Sequence, residues 1–185
     1  MRMIQFAIVL LVTSILSAEP QVRYSPFWTS DADCVTTVHL RNNVVDSDLI
    51  VSPIFHREDG TAVVLAPITI PASGSAEILV NEVIGGSGHY YSHYGGAEFH
   101  FDALYAGALS VETEVVMSEH TLAYSVQSFG QADRSANEQH AVFVLPNRNG
   151  EIYFAMYNSS DERVTVRPTI QSGGSTVALD SLAGC

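Results

Sequence analysis

The chain has 185 residues, with 20 acidic side chains, 8 basic ones and a formal net charge of −12 at pH 7. Every basic residue is an arginine, and the arginines are scattered among the carboxylates, whereas a nucleic-acid-binding protein presents a basic patch or stripe. Nucleic acid is therefore not expected as a partner, and the length suits one large β domain or a small domain with part of another.

The first 18 residues have the layout of a secretory signal peptide. Arg2 provides a positive start, the run from Ile4 to Leu16 is largely apolar, and small residues follow as far as Ala18. A membrane-spanning helix needs roughly 20 apolar residues, so an uncleaved anchor is the less favoured alternative. The sequence predicts cleavage after Ala18, a secreted, periplasmic or cell-surface location, and no transmembrane segment in the mature chain.

After the signal, apolar and polar residues alternate with the period of two that is typical of β-strands, and no long segment shows a helical period. The predicted strands cover residues 34–41, 48–56, 61–70, 76–83, 97–101, 109–117, 121–129, 140–145, 151–158, 163–170 and 175–179. Residues 57–60 predict a hairpin turn, and residues 84–96, which are rich in glycine, predict a long loop.

Strands at this spacing, separated by Gly, Pro and Asp, predict an all-β fold with an antiparallel β-sandwich. Large aromatic side chains in strands are expected to lie in or near the core. These are Tyr24, Phe27, Trp28, Phe55, Phe99, Tyr124, Phe143, Tyr153 and Phe154.

A weak internal repeat connects the two ends of the mature chain. At a spacing of 115 residues, Asn43, Asp46, Pro53 and Thr61 fall on Asn158, Asp161, Pro168 and Thr176. Both copies predict a strand, an Asn- and Asp-containing turn and a second strand with a proline. The sequence therefore predicts a β-sandwich domain over residues 19–130, a linker over 131–140, and a partial second β repeat or added strands over 141–185.

Phe27 leads through an apolar strand to Asn42-Asn43, after which come Ile50-Val51-Ser52-Pro53 and Glu58-Asp59-Gly60. Together with the stretch from Tyr105 to Glu112, these turn and strand signatures resemble exported bacterial β-sandwich repeat proteins of the immunoglobulin-like type. The resemblance implies an immunoglobulin-like sandwich and no catalytic activity.

One histidine cluster has the residue types of a metal site. His89, His93 and His100 lie in or beside the glycine-rich loop, with Glu98 or Asp102 nearby. Imidazole nitrogens bind Zn²⁺ or Cu²⁺ readily, so these three histidines are the candidate ligands of a metal ion. The flanking glycines argue against the helix that aligns a His-x₃-His pair, and exposed loop histidines are the alternative.

The two cysteines, Cys34 and Cys185, belong to a chain that is expected to reach an oxidising compartment. An intramolecular disulfide between them is one prediction, and free thiols or an intermolecular bridge are the alternatives.

Carboxylates offer two further hypotheses, each beside a simpler one. Glu112 and Glu114 share one face of a predicted strand, as a glycosidase pair would, but a solvated strand face gives the same pattern. Four aspartates in predicted loops offer oxygen ligands for Ca²⁺, without the spacing of a calcium-binding loop. They are Asp31, Asp33, Asp46 and Asp48.

No catalytic motif emerges, and no serine-hydrolase elbow is present. The leading hypothesis is an exported, non-enzymatic β-sandwich protein with a surface structural, adhesive or ligand-binding role. The alternative is a Zn- or Cu-binding exported protein that uses His89, His93 and His100. A third hypothesis is an assembly subunit that a neighbouring chain or cell-surface partner contacts through an exposed strand edge.

Overall fold

Alternating apolar and polar residues form the strands of two antiparallel sheets that pack face to face, which confirms the predicted all-β sandwich. The computed structural model describes residues 18–31, 33–84, 93–117, 122–130, 158, 164–167, 169–172, 175–178 and 182–183. The sandwich strands are β1 (Glu19–Thr29), β2 (Cys34–Asn42), β3 (Leu49–Arg57), β4 (Ala62–Val64), β5 (Ile68–Ile70), β6 (Ser75–Leu79), β7 (Tyr94–Ala103), β8 (Leu109–Met117), β9 (Leu122–Gln127) and β10 (Phe129–Gly130).

The first sheet has the order β10-β1-β7-β3, and both β4 and β5 pair with the remaining edge of β3. The second sheet has the order β6-β2-β8-β9. Every second residue of β2 is buried from Cys34 to Asn42, because successive side chains of a strand point to opposite faces of the sheet. Only one face of each central strand therefore contributes to the core.

The core between the sheets is built on three aromatic side chains. Trp28, Phe55 and Phe99 are fully buried, with ring centroids 5.8 Å apart for Trp28 and Phe55 and 6.1 Å apart for Phe55 and Phe99. The indole N–H of Trp28 donates to the carbonyl of Gly96 at 2.8 Å, so its one polar atom is satisfied. Of the other predicted core aromatics, Tyr24 is buried and Phe27 is half-buried.

Strand β1 was not predicted, because its sequence does not alternate cleanly. It contains Pro20 and Pro26, and its register with β7 shifts between Ser25 and Trp28. A bulge of this kind moves the side chains that follow it to the other face, which removes the period-two signal. The bulge places Trp28 in the core.

The predicted strand over residues 76–83 is only partly correct. Strand β6 ends at Leu79, and a single helical turn, α1 (Val80–Val83), follows it. The side chain of Asn81 explains the change, since it accepts from the Thr36 N–H at 3.0 Å and donates to the Cys34 carbonyl at 2.9 Å. One side chain thus occupies two backbone groups of β2 that a longer β6 would have used.

The predicted loop over residues 84–96 ends earlier than expected, because β7 begins at Tyr94. A side chain at Gly95 would clash with the backbone carbonyl of His56 on the neighbouring strand, so this position requires glycine. The described residues also include a three-residue 3-10 turn (Ala106–Ala108) before β8. They contain no helix that is long and apolar enough to span a membrane.

Four short strands near the C-terminus form two antiparallel pairs. Strand β11 (Thr165–Val166) pairs with β14 (Leu182–Ala183), and β12 (Thr169–Ser172) pairs with β13 (Ser175–Ala178). The predicted strand over 163–170 coincides with β11 and the first half of β12, the predicted strand over 175–179 coincides with β13, and β14 was not predicted. Residues 1–17 of the predicted signal peptide, the predicted linker over 131–140, the predicted strand over 140–145 and all but Asn158 of the predicted strand over 151–158 lie outside the described residues, and the immunoglobulin-like assignment stays a prediction.

Candidate functional site

Every histidine of the described residues lies close to a glutamate. The shortest distances from an imidazole nitrogen to a carboxylate oxygen lie between 2.9 and 3.4 Å, on strands or at strand ends. Because the chain has no lysine, arginine and histidine are its only cationic side chains. The four histidines are His39, His56, His93 and His100.

On the outer face of the first sheet, Glu98 lies between two imidazoles. Its Oε2 is 2.9 Å from Nε2 of His100, which is two residues along the same face of β7. Its Oε1 is 3.4 Å from Nε2 of His56 on the neighbouring strand β3. The carboxylate is only 19% exposed and separates the two imidazoles, so it bridges them across the strands.

On the outer face of the second sheet, His39 lies between carboxylates from both neighbouring strands. Its Nδ1 is 3.2 Å from Glu77 of β6, and its Nε2 is 3.6 Å from Glu114 of β8. Glu112 lies directly opposite His39 in the β2–β8 register and is exposed. A glycosidase acid needs an apolar cleft that raises its pKa, whereas Glu112 and Glu114 lie on an open strand face. Their position matches the solvated-face alternative.

His93, the residue immediately before β7, contacts the turn between β3 and β4. Its Nδ1 is 3.0 Å from Oε1 of Glu58, and Oε2 of the same carboxylate accepts from the Tyr94 N–H at 3.2 Å. Partial burial raises the pKa of Glu58, but hydrogen bonds from His93 and from the backbone N–H groups of Glu58 and Tyr94 outweigh it. The pKa of Glu58 therefore lies below its usual value.

The structure does not bring His93 and His100 together. His93 immediately precedes the extended strand β7 and His100 lies seven residues further on, so a rise of about 3.3 Å per residue places their backbones about 23 Å apart. Each contacts a different glutamate, and His89 lies outside the described residues. No group of three or more His, Cys, Asp or Glu side chains in the described part of the chain is arranged to hold a metal ion. The metal hypothesis stays a prediction.

Cys34 is buried at the start of β2 and has no disulfide partner among the described residues. Burial raises the pKa of Cys34, and the carboxylates of Asp31 and Asp33 raise it further, so little of the reactive thiolate forms at neutral pH. Cys185 lies outside the described residues. The predicted bond between Cys34 and Cys185 therefore stays a prediction, while a catalytic role for Cys34 has no support.

Two aspartates of the calcium hypothesis accept hydrogen bonds from backbone N–H groups. Oδ1 of Asp31 accepts from the Asp33 N–H at 3.4 Å, and Oδ1 of Asp48 accepts from the Ala72 N–H at 3.2 Å. Such contacts between a side chain and a nearby backbone are usual for aspartate in turns.

An apolar depression on the side of the sandwich was missed at the sequence level. It has a volume of about 410 Å³ and is open to solvent. We call it the side groove. Its lining comes from both sheets, so no local sequence pattern could reveal it. The residues are Leu65, Ala66 and Ile68 from the β4–β5 region and Glu77, Ile78, Leu79, Glu82 and Val83 from β6 and α1.

Comparison of the chain with protein-family models, with curated proteins and with solved structures finds no match. The function therefore has to be argued from the fold and the residues themselves.

Proposed function

We propose that this chain is an exported, non-enzymatic protein that is built from β-sandwich units and has a structural or binding role outside the cytoplasm. Several observations favour this role over catalysis. Apolar side chains fill the space between the sheets, and the described histidines contact glutamates on faces or turns outside that core. Two depressions lined by described residues are open to solvent, unlike the enclosed pocket in which catalytic groups are usually desolvated.

The observation that carries the proposal is a recurring pattern of strand pairing. In the sandwich, β3 pairs with two successive short strands, β4 and β5. The four C-terminal strands form a second hairpin that repeats this arrangement. We call β3 and its counterparts β11 and β12 the inner strands, which correspond at a shift of 115 residues, and we call β4 and β5 and their counterparts β13 and β14 the outer strands, which correspond at a shift of 114. The pairs Ile50–Thr69, Val51–Ile68, Ile54–Val64, Phe55–Val63 and His56–Ala62 correspond to Thr165–Ala183, Val166–Leu182, Thr169–Ala178, Ile170–Val177 and Gln171–Thr176.

A proline gives this pattern a physical cause. Pro53 lies between the segments of β3 that pair with β5 and with β4, and Pro168 lies between β11 and β12 in the sequence. Because proline lacks the N–H that a ladder requires, it interrupts the pairing at its own position. In each hairpin, the outer strand has one more residue than the inner strand at the position of the proline, so the pairing shifts by one residue there. The two hairpins therefore share their register as well as their proline.

The shared register supports a partial second copy of the sandwich unit within residues 141–185, rather than unrelated added strands. Repeated sandwich units are common in extracellular and cell-surface proteins, where they extend a structure or present a binding surface. This is the role that we assign to the chain, in agreement with its acidic surface and its signal-like first 18 residues.

Two experiments test the proposal. N-terminal sequencing of the chain recovered from an exporting host is expected to begin at Glu19, and full-length protein retained in the cytoplasm would contradict export. For the second unit, the double variant Ile170→Cys with Val177→Cys is expected to form a cross-strand disulfide in a Cys34→Ala, Cys185→Ser background. The control, Ile170→Cys with Ala178→Cys, is one residue out of register, and equal cross-linking of both pairs would refute the shared register.

A further inference from the structure

Strand β6 is an open edge of the second sheet. It pairs with β2 on one side, and no other strand of the described residues pairs with its second side. The N–H groups of Thr36 and Asn42 point toward the β6 side of β2, since they donate to Asn81 and Gly74. Backbone groups alternate in direction along an antiparallel ladder, so Ala76 and Ile78 bond to β2. The backbone groups of Ser75 and Glu77 and the N–H of Leu79 therefore face outward from the edge, whereas the carbonyl of Leu79, the N-cap of α1, faces the helix.

The side groove lies next to this edge. Leu65 and Ile68 of the opposite sheet form its floor and pack against the core, while Leu79 and Val83 on its rim are 41% and 43% exposed. A strand added to β6 would direct every second side chain toward Leu65 and Ile68, because side chains alternate along a strand. Apolar side chains fit these positions.

The negative charge at the rim of the side groove determines which side chains suit the other positions of an added strand. Glu77 and Glu82 are both exposed on its rim, and the side chain of Glu77 is 66% exposed although it contacts His39. The whole chain carries a net charge of −12, so a cationic segment is attracted and an acidic one repelled. The outward positions of an added strand therefore suit Lys or Arg.

Proteins usually protect an edge strand with lysine, proline or a bulge, because an open edge pairs with other chains. Strand β6 has neither lysine nor proline, its one charged side chain is the acidic Glu77, and its register with β2 runs without a shift from Ser75 to Leu79. Within the described part of the chain, the edge is thus regular and unpaired over five residues.

We infer that the side groove binds an extended peptide segment of alternating apolar and basic residues, which adds to the open edge of β6 as a further strand. The inference rests on the binding role proposed above and names the kind of partner. Backbone hydrogen bonds to Ser75, to Glu77 and to the N–H of Leu79 hold the segment, its apolar side chains cover Leu65 and Ile68, and its basic side chains face Glu77 and Glu82.

Fluorescence anisotropy with the full mature chain tests the inference. The probe is a labelled peptide of about seven residues in which Lys and Val alternate, matched to the length of β6. Saturable binding that weakens with salt is expected. A scrambled peptide of the same composition tests for simple charge attraction, and a peptide of alternating Glu and Val tests the sign of the charge. Equal binding of the alternating Lys and Val peptide and its scrambled form, or binding of the alternating Glu and Val peptide, would overturn the inference.

A proline variant separates the contribution of the Leu79 backbone N–H to binding from the contribution of its side chain. Leu79 has φ of −81°, which proline tolerates, and its N–H faces the open edge, so Leu79→Pro removes one donor without a loss to β2. We expect Leu79→Pro to weaken binding by about fivefold or more relative to Leu79→Ala, which keeps the N–H. Glu77→Gln with Glu82→Gln is expected to weaken binding and its salt dependence, whereas Glu112→Gln on the same sheet is not.

Hydrogen exchange gives a readout that does not depend on how a variant folds. In the unmodified chain, the amides of Ser75, Glu77 and Leu79 are expected to exchange rapidly and to become protected when the alternating peptide binds. Binding without protection at these amides would place the peptide elsewhere and overturn the inference. Export is judged by the mature N-terminus, so it can hold even if this peptide does not bind.

Discussion

Replacing the buried Asn42 with alanine tests what joins the two sheets at one end of the sandwich. Its Nδ2 donates to the carbonyls of Ser47, Ile70 and Pro71 at 2.9, 3.1 and 3.1 Å, and its Oδ1 accepts from the Val44 N–H at 2.9 Å. These groups belong to the β2–β3 turn and to the end of β5. One side chain of the second sheet therefore holds a turn and a strand end of the first.

The amide of Asn42 has two hydrogens and one accepting oxygen, so it makes the equivalent of about three hydrogen bonds, each contributing about 1 kcal/mol net. Asn42→Ala should lower the free energy of unfolding by about 3 kcal/mol, and the melting temperature by roughly 6 to 12 °C for a chain of this size. Urea unfolding followed by the fluorescence of Trp28, the single tryptophan, measures the change.

The neighbouring Asn43 provides a matched control. It donates to the Gly107 carbonyl at 2.9 Å and to the Ser110 hydroxyl at 2.8 Å, but it is exposed, so water can replace both contacts. Asn43→Ala should cost less than about 1 kcal/mol. If the two alanine variants lose equal stability, burial does not decide the value of these hydrogen bonds and the reasoning fails.

Three further predictions concern the titratable and metal-binding groups. Because the pKa of Glu58 is lowered in the folded chain, its ionised form stabilises the fold above the unfolded pKa of about 4.3, and this contribution is lost as the pH falls through the folded value. Urea unfolding should therefore show Glu58→Gln less stable than the parent by up to about 1 kcal/mol near pH 6, with the gap closing below pH 4, and a gap independent of pH would contradict this. A thiol count on denatured, unreduced protein should give two thiols if Cys34 and Cys185 are free and none if they are bonded, while in the folded chain Cys34 should react slowly because it is buried. For the metal hypothesis, elemental analysis should find Zn or Cu near one equivalent that disappears in the variant His89→Ala with His93→Ala, and metal-free parent protein would end it.

The central strands were predictable because each has one buried face. In β2 and β8 the period-two pattern of residues such as Val38, Leu40 and Val111 directly records which side meets the core. Strand β1 could not be found in this way, because its bulge between Ser25 and Trp28 moves the apolar residues to the other face. Helix α1 also depends on a tertiary contact, the side chain of Asn81 against β2.

The partners of the histidines were less predictable than the strands. Glu98 was expected near His100, because two residues along a strand return to the same face. The contact of His93 with Glu58 spans 35 residues of sequence and depends on how the β3–β4 turn meets the start of β7. The side groove was beyond sequence reasoning for a similar reason, since Leu65 and Leu79 reach it from different sheets.

The residues at the interruption between β4 and β5 form the floor of the side groove. Comparison of the two hairpins indicates which proline causes this interruption. The carbonyl of Pro53 accepts from the Leu65 N–H at 3.0 Å, so the backbone of Pro53 faces the outer strands and offers them no donor. In the second hairpin, Pro168 matches Pro53, whereas Ser181 occupies the place of Pro67.

The inner proline should therefore set the break. Pro53→Ala supplies an N–H toward the outer strand, and we expect slow hydrogen exchange at the new residue 53 amide and slower exchange at Ala66. Pro67→Ala should leave exchange at Ala66 unchanged, because the register shared by the two hairpins pairs the new N–H of residue 67 with no carbonyl. Slower exchange at Ala66 in Pro67→Ala alone would show instead that the outer proline sets the break, and the groove would then be specific to the first hairpin.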